Sequence, residues 1–162
     1  MSIRLILVRH GQSSFNEKGL IQGRTDDSYL TDRGYEQARR AGKVLSKIKF
    51  DEIFSSPLSR AAETAITINN SFEKDQNIVF DKDLLEVDLN SWSGLTINEI
   101  KKKFPDIYHI WKNNPEQLIL QRDDKKNYKP IQELFVQADT FINKIFKKHI
   151  NNMYEYSNHD QP

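Results

Sequence analysis

An apolar run, Ile3-Arg4-Leu5-Ile6-Leu7-Val8, ends in Arg9-His10-Gly11. An imidazole can serve as nucleophile or base near neutral pH, and a guanidinium grips an anion through two parallel hydrogen bonds. Gln12, Ser13, Ser14 and Asn16 add polar groups to the same loop, and Gly11 is expected to let the backbone turn sharply there. The pattern suits an oxyanion or phosphate cradle. A second cation stands in Ser55-Ser56-Pro57-Leu58-Ser59-Arg60-Ala61, where Arg60 falls in the first turn of a helix entered from a strand. A helix N-terminus attracts anions, and a basic residue there opposes the dipole unless an anion joins it. An ion pair with Glu63 is the plainer reading of the same arginine. The third candidate lies in Leu84-Leu85-Glu86-Val87-Asp88-Leu89, ahead of Trp92-Ser93-Gly94. A carboxyl leaving an apolar strand end beside an indole is partly desolvated, which suits it to donate a proton. Local sequence does not choose between Glu86 and Asp88.

The elements that must position these groups alternate between strand and helix signals. The run from Ile3 to Val8 has no alternation, which predicts a strand covered on both faces, as in a parallel sheet whose ligands bind beyond the strand ends. Thr31 is an N-cap, with Tyr35, Ala38, Ala41 or Gly42, Leu45 and Ile48 at helical spacing behind it. Glu52-Ile53-Phe54-Ser55 reads as a short strand, and Ser56-Pro57 as the cap and first-turn proline of a helix reaching about Ile68. Ile78-Val79-Phe80 is another strand. Thr96 and Glu99 form a capping-box pattern, and Pro105 separates that helix from a short one carrying Tyr108 and Trp111. This stretch, about 87–130, is expected to be a lid or subdomain insertion. From Ile131 to about Ile150, the stripe of Leu134, Phe135, Ala138, Phe141, Ile142, Ile145 and Phe146 reads as core. The polar segment from Gln121 to Lys129 and the run Lys101-Lys102-Lys103 read as solvated.

Composition narrows the function classes. The 162 residues fit one domain, residues 1–162, and the formal net charge of +1 offers no bulk attraction for nucleic acid or an anionic membrane. Phosphate specificity would therefore be local. The absence of cysteine excludes disulfides, thiol catalysis and thiolate metal sites. The short apolar run interrupted by Arg4 makes neither a signal peptide nor a membrane span, so the cytoplasm is the expected compartment.

Taken in order, Leu7-Val8-Arg9-His10-Gly11, Ser14-Phe15-Asn16, Ile21-Gln22-Gly23-Arg24, Leu30-Thr31 with Gly34 and Gln37-Ala38, Ser55 to Ala61 with Glu63-Thr64-Ala65, and Leu85-Glu86 ahead of Trp92-Ser93-Gly94 resemble the histidine phosphatase superfamily, also called phosphoglycerate mutase-like. The resemblance spans Arg4 to about Gly94 and continues weakly to the helix near Ile150. It implies an α/β fold, a three-layer sandwich with a mostly parallel central sheet, here lacking the family's last strand and helix. It implies that His10 is a nucleophile forming a phosphohistidine, that Arg9 and Arg60 neutralise the phosphoryl oxygens, and that Glu86 is the general acid. Asn16, Gln22 and Gly23 match the phosphate and substrate loops. The scheme needs no metal or organic cofactor, and its partner is a small phosphorylated metabolite. For the family's second histidine only His159 offers a match, in Ser157-Asn158-His159-Asp160-Gln161-Pro162, although Asn151 to Tyr156 make a poor strand before it. A plain tail is the other reading. His109 and His149 fall in helices, with surface or packing roles. The expected activity is phosphomonoester hydrolysis in the phosphatase-like branch, which includes α-ribazole phosphatase-like proteins. The alternatives are a phosphoglycerate mutase-type phosphotransferase and a truncated phosphate-binding remnant. Oligomeric state is unreadable.

Overall fold

A computed structural model describes residues 3–159, with side chains as far as residue 149. The architecture is α/β, and its parallel pairing is made by β1 (Ile53–Ser55) and β2 (Ile78–Phe80) in the register Ile53 to Ile78 and Ser55 to Phe80. The helix between them, α3 (Ser59–Asn69), packs on both strands.

The expected first strand does not form. Among the described residues no backbone hydrogen bond joins residues 3–8 to another segment, and Leu7 is 92% exposed. Continuous apolarity reports a capacity for burial, but a strand exists only through a neighbour's ladder. The chain first becomes regular at α1 (Ser14–Lys18), capped by the reciprocal Ser13–Asn16 box and closed by Gly19 in the left-handed region at φ 66°.

Thr31 caps α2 (Asp32–Leu45) by accepting from the Gly34 amide, as the sequence predicts, and the helix stops at Leu45 instead of Ile48. It lies against α3 at a small-residue contact, since a Cβ on Gly42 would stand 3.0 Å from the Ile68 carbonyl oxygen and 2.4 Å from Oγ of Ser71, just beyond the helix. The predicted cap of α3 is corrected. Ser56 and Pro57 precede the helix without capping it; Asp26, from a distant loop, accepts from the Ser59 amide and hydroxyl at 2.7 Å each.

A buried apolar cluster lies in the segment after Val87. There the Thr96–Glu99 capping box opens α4 (Ile97–Lys103), Pro105 starts α5 (Pro105–Asn113), and β3 (Leu120–Gln121) pairs antiparallel with β4 (Asn127–Tyr128). Leu89, Trp92, Ile100, Leu118, Leu120 and Tyr128 are buried together, with Trp92 edge-on to Trp111 at 5.1 Å. This cluster joins the loop before α2 through the Ile21 amide to Leu95 carbonyl bond at 2.9 Å and the Ser93 hydroxyl to Gln22 carbonyl bond at 2.7 Å. Lys101 to Lys103 and residues 121–127 are exposed, as expected.

The last element, α6 (Pro130–His159), is a single long helix. Its stripe is only partly core: Ile145 is buried and Phe141 meets Phe54 edge-on at 5.4 Å, whereas Phe135, Ala138 and Phe146 face outward. Among the described residues no helix is long and apolar enough to cross a membrane.

Candidate active site

The His10 ring is oriented by the residue that follows it. Its Nδ1 lies 2.7 Å from the Gly11 carbonyl oxygen. A carbonyl can only accept, so Nδ1 carries the proton and Nε2 keeps its lone pair. Burial holds the ring's pKa below its ordinary 6.5; the Gly11 carbonyl opposes this, Arg60 and Arg9 reinforce it, and Glu86 counters them. A neutral imidazole with an available Nε2 is the species a nucleophile requires.

The loop carrying that ring is fastened from its downstream side. The Gly11 amide donates to Thr64 Oγ1 at 3.1 Å, and the Thr64 hydroxyl donates to the Arg60 carbonyl at 2.7 Å. The Gln12 amide donates to Gln37 Oε1 at 2.8 Å, and the Thr31 amide to the Gln12 carbonyl at 3.0 Å. Gly11 is not needed for a left-handed turn, contrary to the sequence expectation; it permits a close approach of two backbones. A Cβ there would stand 2.4 Å from the Gly34 carbonyl oxygen, and a Cβ on Gly34 would stand 2.2 Å from that of Gln12.

Arg60 is the buried cation of the site, with 1% of its side chain exposed. Its Nη1 donates to the Thr25 carbonyl at 2.9 Å, and its Nη2 to the Gly23 carbonyl at 2.7 Å and to Glu86 Oε2 at 2.9 Å. Its Nε is buried without a partner among the described residues. The alternative reading of Arg60, an ion pair with Glu63, is not formed: Glu63 accepts instead from the Tyr35 hydroxyl at 2.6 Å. The anion expected at the start of α3 is likewise supplied from within, by Asp26.

The two acids have different partners. Glu86 reaches Arg60, whereas Asp88 Oδ1 accepts from the Asn90 amide at 3.1 Å as a turn residue. Glu86 follows a short 3-10 turn at Lys82–Leu84 rather than a strand end. The expected wrapping by Trp92 does not occur: the indole is buried in the cluster with Leu89 and Ile100, and the Glu86 side chain is 43% exposed. Arg9 is exposed and makes no ion pair among the described residues.

The loop residues named from the sequence hold structure. Asn16 Oδ1 accepts from the Ser13 amide, and buried Gln22 Oε1 accepts from the Ser13 and Ser28 hydroxyls at 2.7 and 2.8 Å. Gly23, at φ 55°, presents its carbonyl to Arg60. His159 is the last residue of α6 rather than part of a turn after a strand, and its side chain lies outside the described residues. His109 lies near Asn113 on α5, and His149 faces Glu52 at 3.3 Å. Sequence reasoning gave no role to Thr64 and overlooked Asp26. Thr64 carried a signal, being one helical turn after Arg60 and so on the same face. Among the described residues no three His, Asp or Glu side chains are grouped as a metal ion would need.

The histidine phosphatase superfamily (branch 1) model matches residues 5–154. The chain is 41% identical over 135 residues to a probable 2-carboxy-D-arabinitol-1-phosphatase of Arabidopsis thaliana, covering 83% of this chain and 27% of that protein. It is 29% identical over 160 residues to phosphoserine phosphatase 1 of Hydrogenobacter thermophilus, covering 99% and 72%. The solved structure of YhfR from Bacillus stearothermophilus superposes with a TM-score of 0.77 at 28% identity, over 87% of this chain and 66% of that one. The chain thus spans about a quarter of the plant relative and about two thirds of the bacterial structure. With the Arg-His-Gly loop, the buried arginine and the acid in one constellation and the family model running over most of its length, the chain belongs to the histidine phosphatase superfamily.

Proposed function

We propose that this protein hydrolyses phosphomonoesters of small metabolites through a phosphohistidine on His10. The observation that carries the reading is the His10 ring held in one tautomer by Gly11 beside buried Arg60, whose Nε has no partner among the described residues. His10 Nε2 attacks phosphorus, a P–N bond forms, and the ester P–O bond breaks. The departing alkoxide takes a proton from the Glu86 carboxyl. The Glu86 carboxylate then removes a proton from water, whose oxygen attacks phosphorus as the P–N bond breaks, releasing inorganic phosphate and free His10. Arg60 Nε and the Arg9 guanidinium donate to the phosphoryl oxygens, where phosphoryl transfer gains most from fixed positive charge. Asn16, Gln22 and Gly23 shape the loops facing the substrate, Gln22 and Gly23 by holding Ser13, Ser28 and Arg60 in place. His159 is the candidate for a second imidazole.

Incubation with a 32P-labelled alkyl phosphomonoester tests this. The expected result is release of inorganic phosphate together with an acid-labile label on the protein, both abolished in His10→Ala. Turnover unchanged in His10→Ala overturns the mechanism, and label passed to a second alcohol without phosphate release would indicate a phosphotransferase.

A further inference from the structure

Glu86 is held twice, once by its carboxylate and once by its backbone. Arg60 takes the carboxylate. The backbone is held by two side chains remote from each other in sequence. Arg24 Nε donates to the Glu86 carbonyl at 2.9 Å, and Arg24 Nη2 donates to Gln137 Oε1 at 2.8 Å. Gln137, on α6, spends its amide hydrogens on the Asp83 carbonyl at 3.1 Å and the Leu85 carbonyl at 2.6 Å. Every polar atom of the Gln137 amide is thus committed, and the orientation is fixed by chemistry. Flipping the amide would set its oxygen against two carbonyls and its NH2 against a guanidinium.

The arrangement closes on itself. Arg60 also binds the carbonyls of Gly23 and Thr25, the two residues flanking Arg24. The same guanidinium that meets the acid therefore fixes the stretch from which Arg24 reaches the acid's backbone. The segment 83–86 is short of regular structure after its 3-10 turn, so its carbonyls need outside donors to adopt one course. A carboxyl on such a segment is placed only as well as those donors place it.

We propose that Gln137, acting with Arg24, is the positioning residue that sets the Glu86 carboxyl for proton transfer. The proposal rests on the reading of Glu86 as general acid. Positioning matters because proton transfer requires hydrogen-bond reach to the leaving oxygen, and a displacement of about 1 Å can cost about a hundredfold in rate.

The test uses leaving-group dependence. A nitrophenolate departs without a proton, whereas an alkoxide needs one, so a defect in the acid slows phosphoenzyme formation from an alkyl phosphate selectively. Rapid-quench rates of phosphohistidine formation are compared for p-nitrophenyl phosphate and glycerol phosphate in the full chain, in Gln137→Leu, Gln137→Glu, Arg24→Lys and Glu86→Gln. Gln137→Leu loses all three bonds and is expected to slow the alkyl ester about tenfold more than the aryl ester, a fraction of the hundredfold or more expected for a missing general acid. Gln137→Glu keeps the acceptor for Arg24 but sets a carboxylate against two carbonyls, and should show the same selectivity; Arg24→Lys should show a smaller one. In a Glu86→Gln background, Gln137→Leu should add no further selectivity. Equal slowing of both esters by Gln137→Leu and Gln137→Glu would mean a merely structural role and overturns the proposal. So does selectivity in Glu86→Gln with none in the Gln137 variants. If Glu86→Gln itself shows no selectivity, the assignment of the acid fails, and the positioning role falls with it.

Discussion

His10 is useful because it is neutral and because only one of its nitrogens is open. Its lowered pKa gives two consequences whose signs can be worked out. The ring stays neutral to a pH below 6.5, so the acid limb of phosphoenzyme formation falls below 6.5 in a pH–rate profile. The unfolded chain, with an ordinary imidazole, binds a proton more readily than the folded one. Stability from this group is therefore complete above 6.5 and is lost as pH falls from 6.5 towards the folded value. Urea midpoints measured through that interval should fall less steeply in His10→Gln. At this scale candidate residue types were legible: Arg9, His10, Arg60 and Glu86 stood out as candidates because few side chains can do phosphate chemistry. Their partners were not. Glu63 stood at the right helical spacing from Arg60, yet Tyr35 claimed it, because tertiary contacts decide which of several acids a buried guanidinium meets. Local sequence weighed Asp88 beside Glu86; in the structure Asp88 accepts from the Asn90 amide while Glu86 meets Arg60.

Among the elements, those closed by their own chemistry were readable, and those closed by distant residues were not. Thr31, the Thr96–Glu99 box and Pro105 each mark a boundary within a few residues of the atoms they satisfy. The start of α3 is satisfied by Asp26, 33 residues away, so no local pattern at Ser56-Pro57 could report it. Asp26→Ala should cost about 1 kcal/mol of stability, the ordinary worth of an N-cap, measurable as a shift in the urea midpoint. Because Arg60 stands one residue inside that helix, the same variant should also slow phosphoenzyme formation. Gly34 makes the contrasting case. A glycine in a helix normally gains about 1 kcal/mol on replacement by Ala, but the carbonyl of Gln12 stands where that methyl would go. Gly34→Ala should instead destabilise by about 1–3 kcal/mol, as overpacking does, and the same urea titration checks the sign.

Across the whole molecule, stability and chemistry draw on different parts. A buried apolar cluster surrounds Trp92, while the run leading to His10 lies exposed. Trp92→Ala should therefore cost about 3–5 kcal/mol, as for a buried aromatic, whereas Leu7→Ser should fall within about 0.5 kcal/mol of the parent, as surface changes do. Urea unfolding of the two variants side by side measures the contrast. The α/β class was legible from alternating strand and helix signals. The unpaired state of Ile3 to Val8 was not, because apolarity along a chain says nothing about which neighbour will supply a ladder. The downstream fastening of the His10 loop has a kinetic side as well. The bond from Gly11 to Thr64 spans 53 residues, that from Arg60 to Gly23 spans 37, and that from Arg24 to Gln137 spans 113. Each closes a long stretch of chain at an entropic cost that the helices, with their local bonds, do not bear. The His10 loop and the Glu86 segment are therefore the parts of the molecule that depend most on long-range closure, whereas α2, α3 and α6 rest on local bonds.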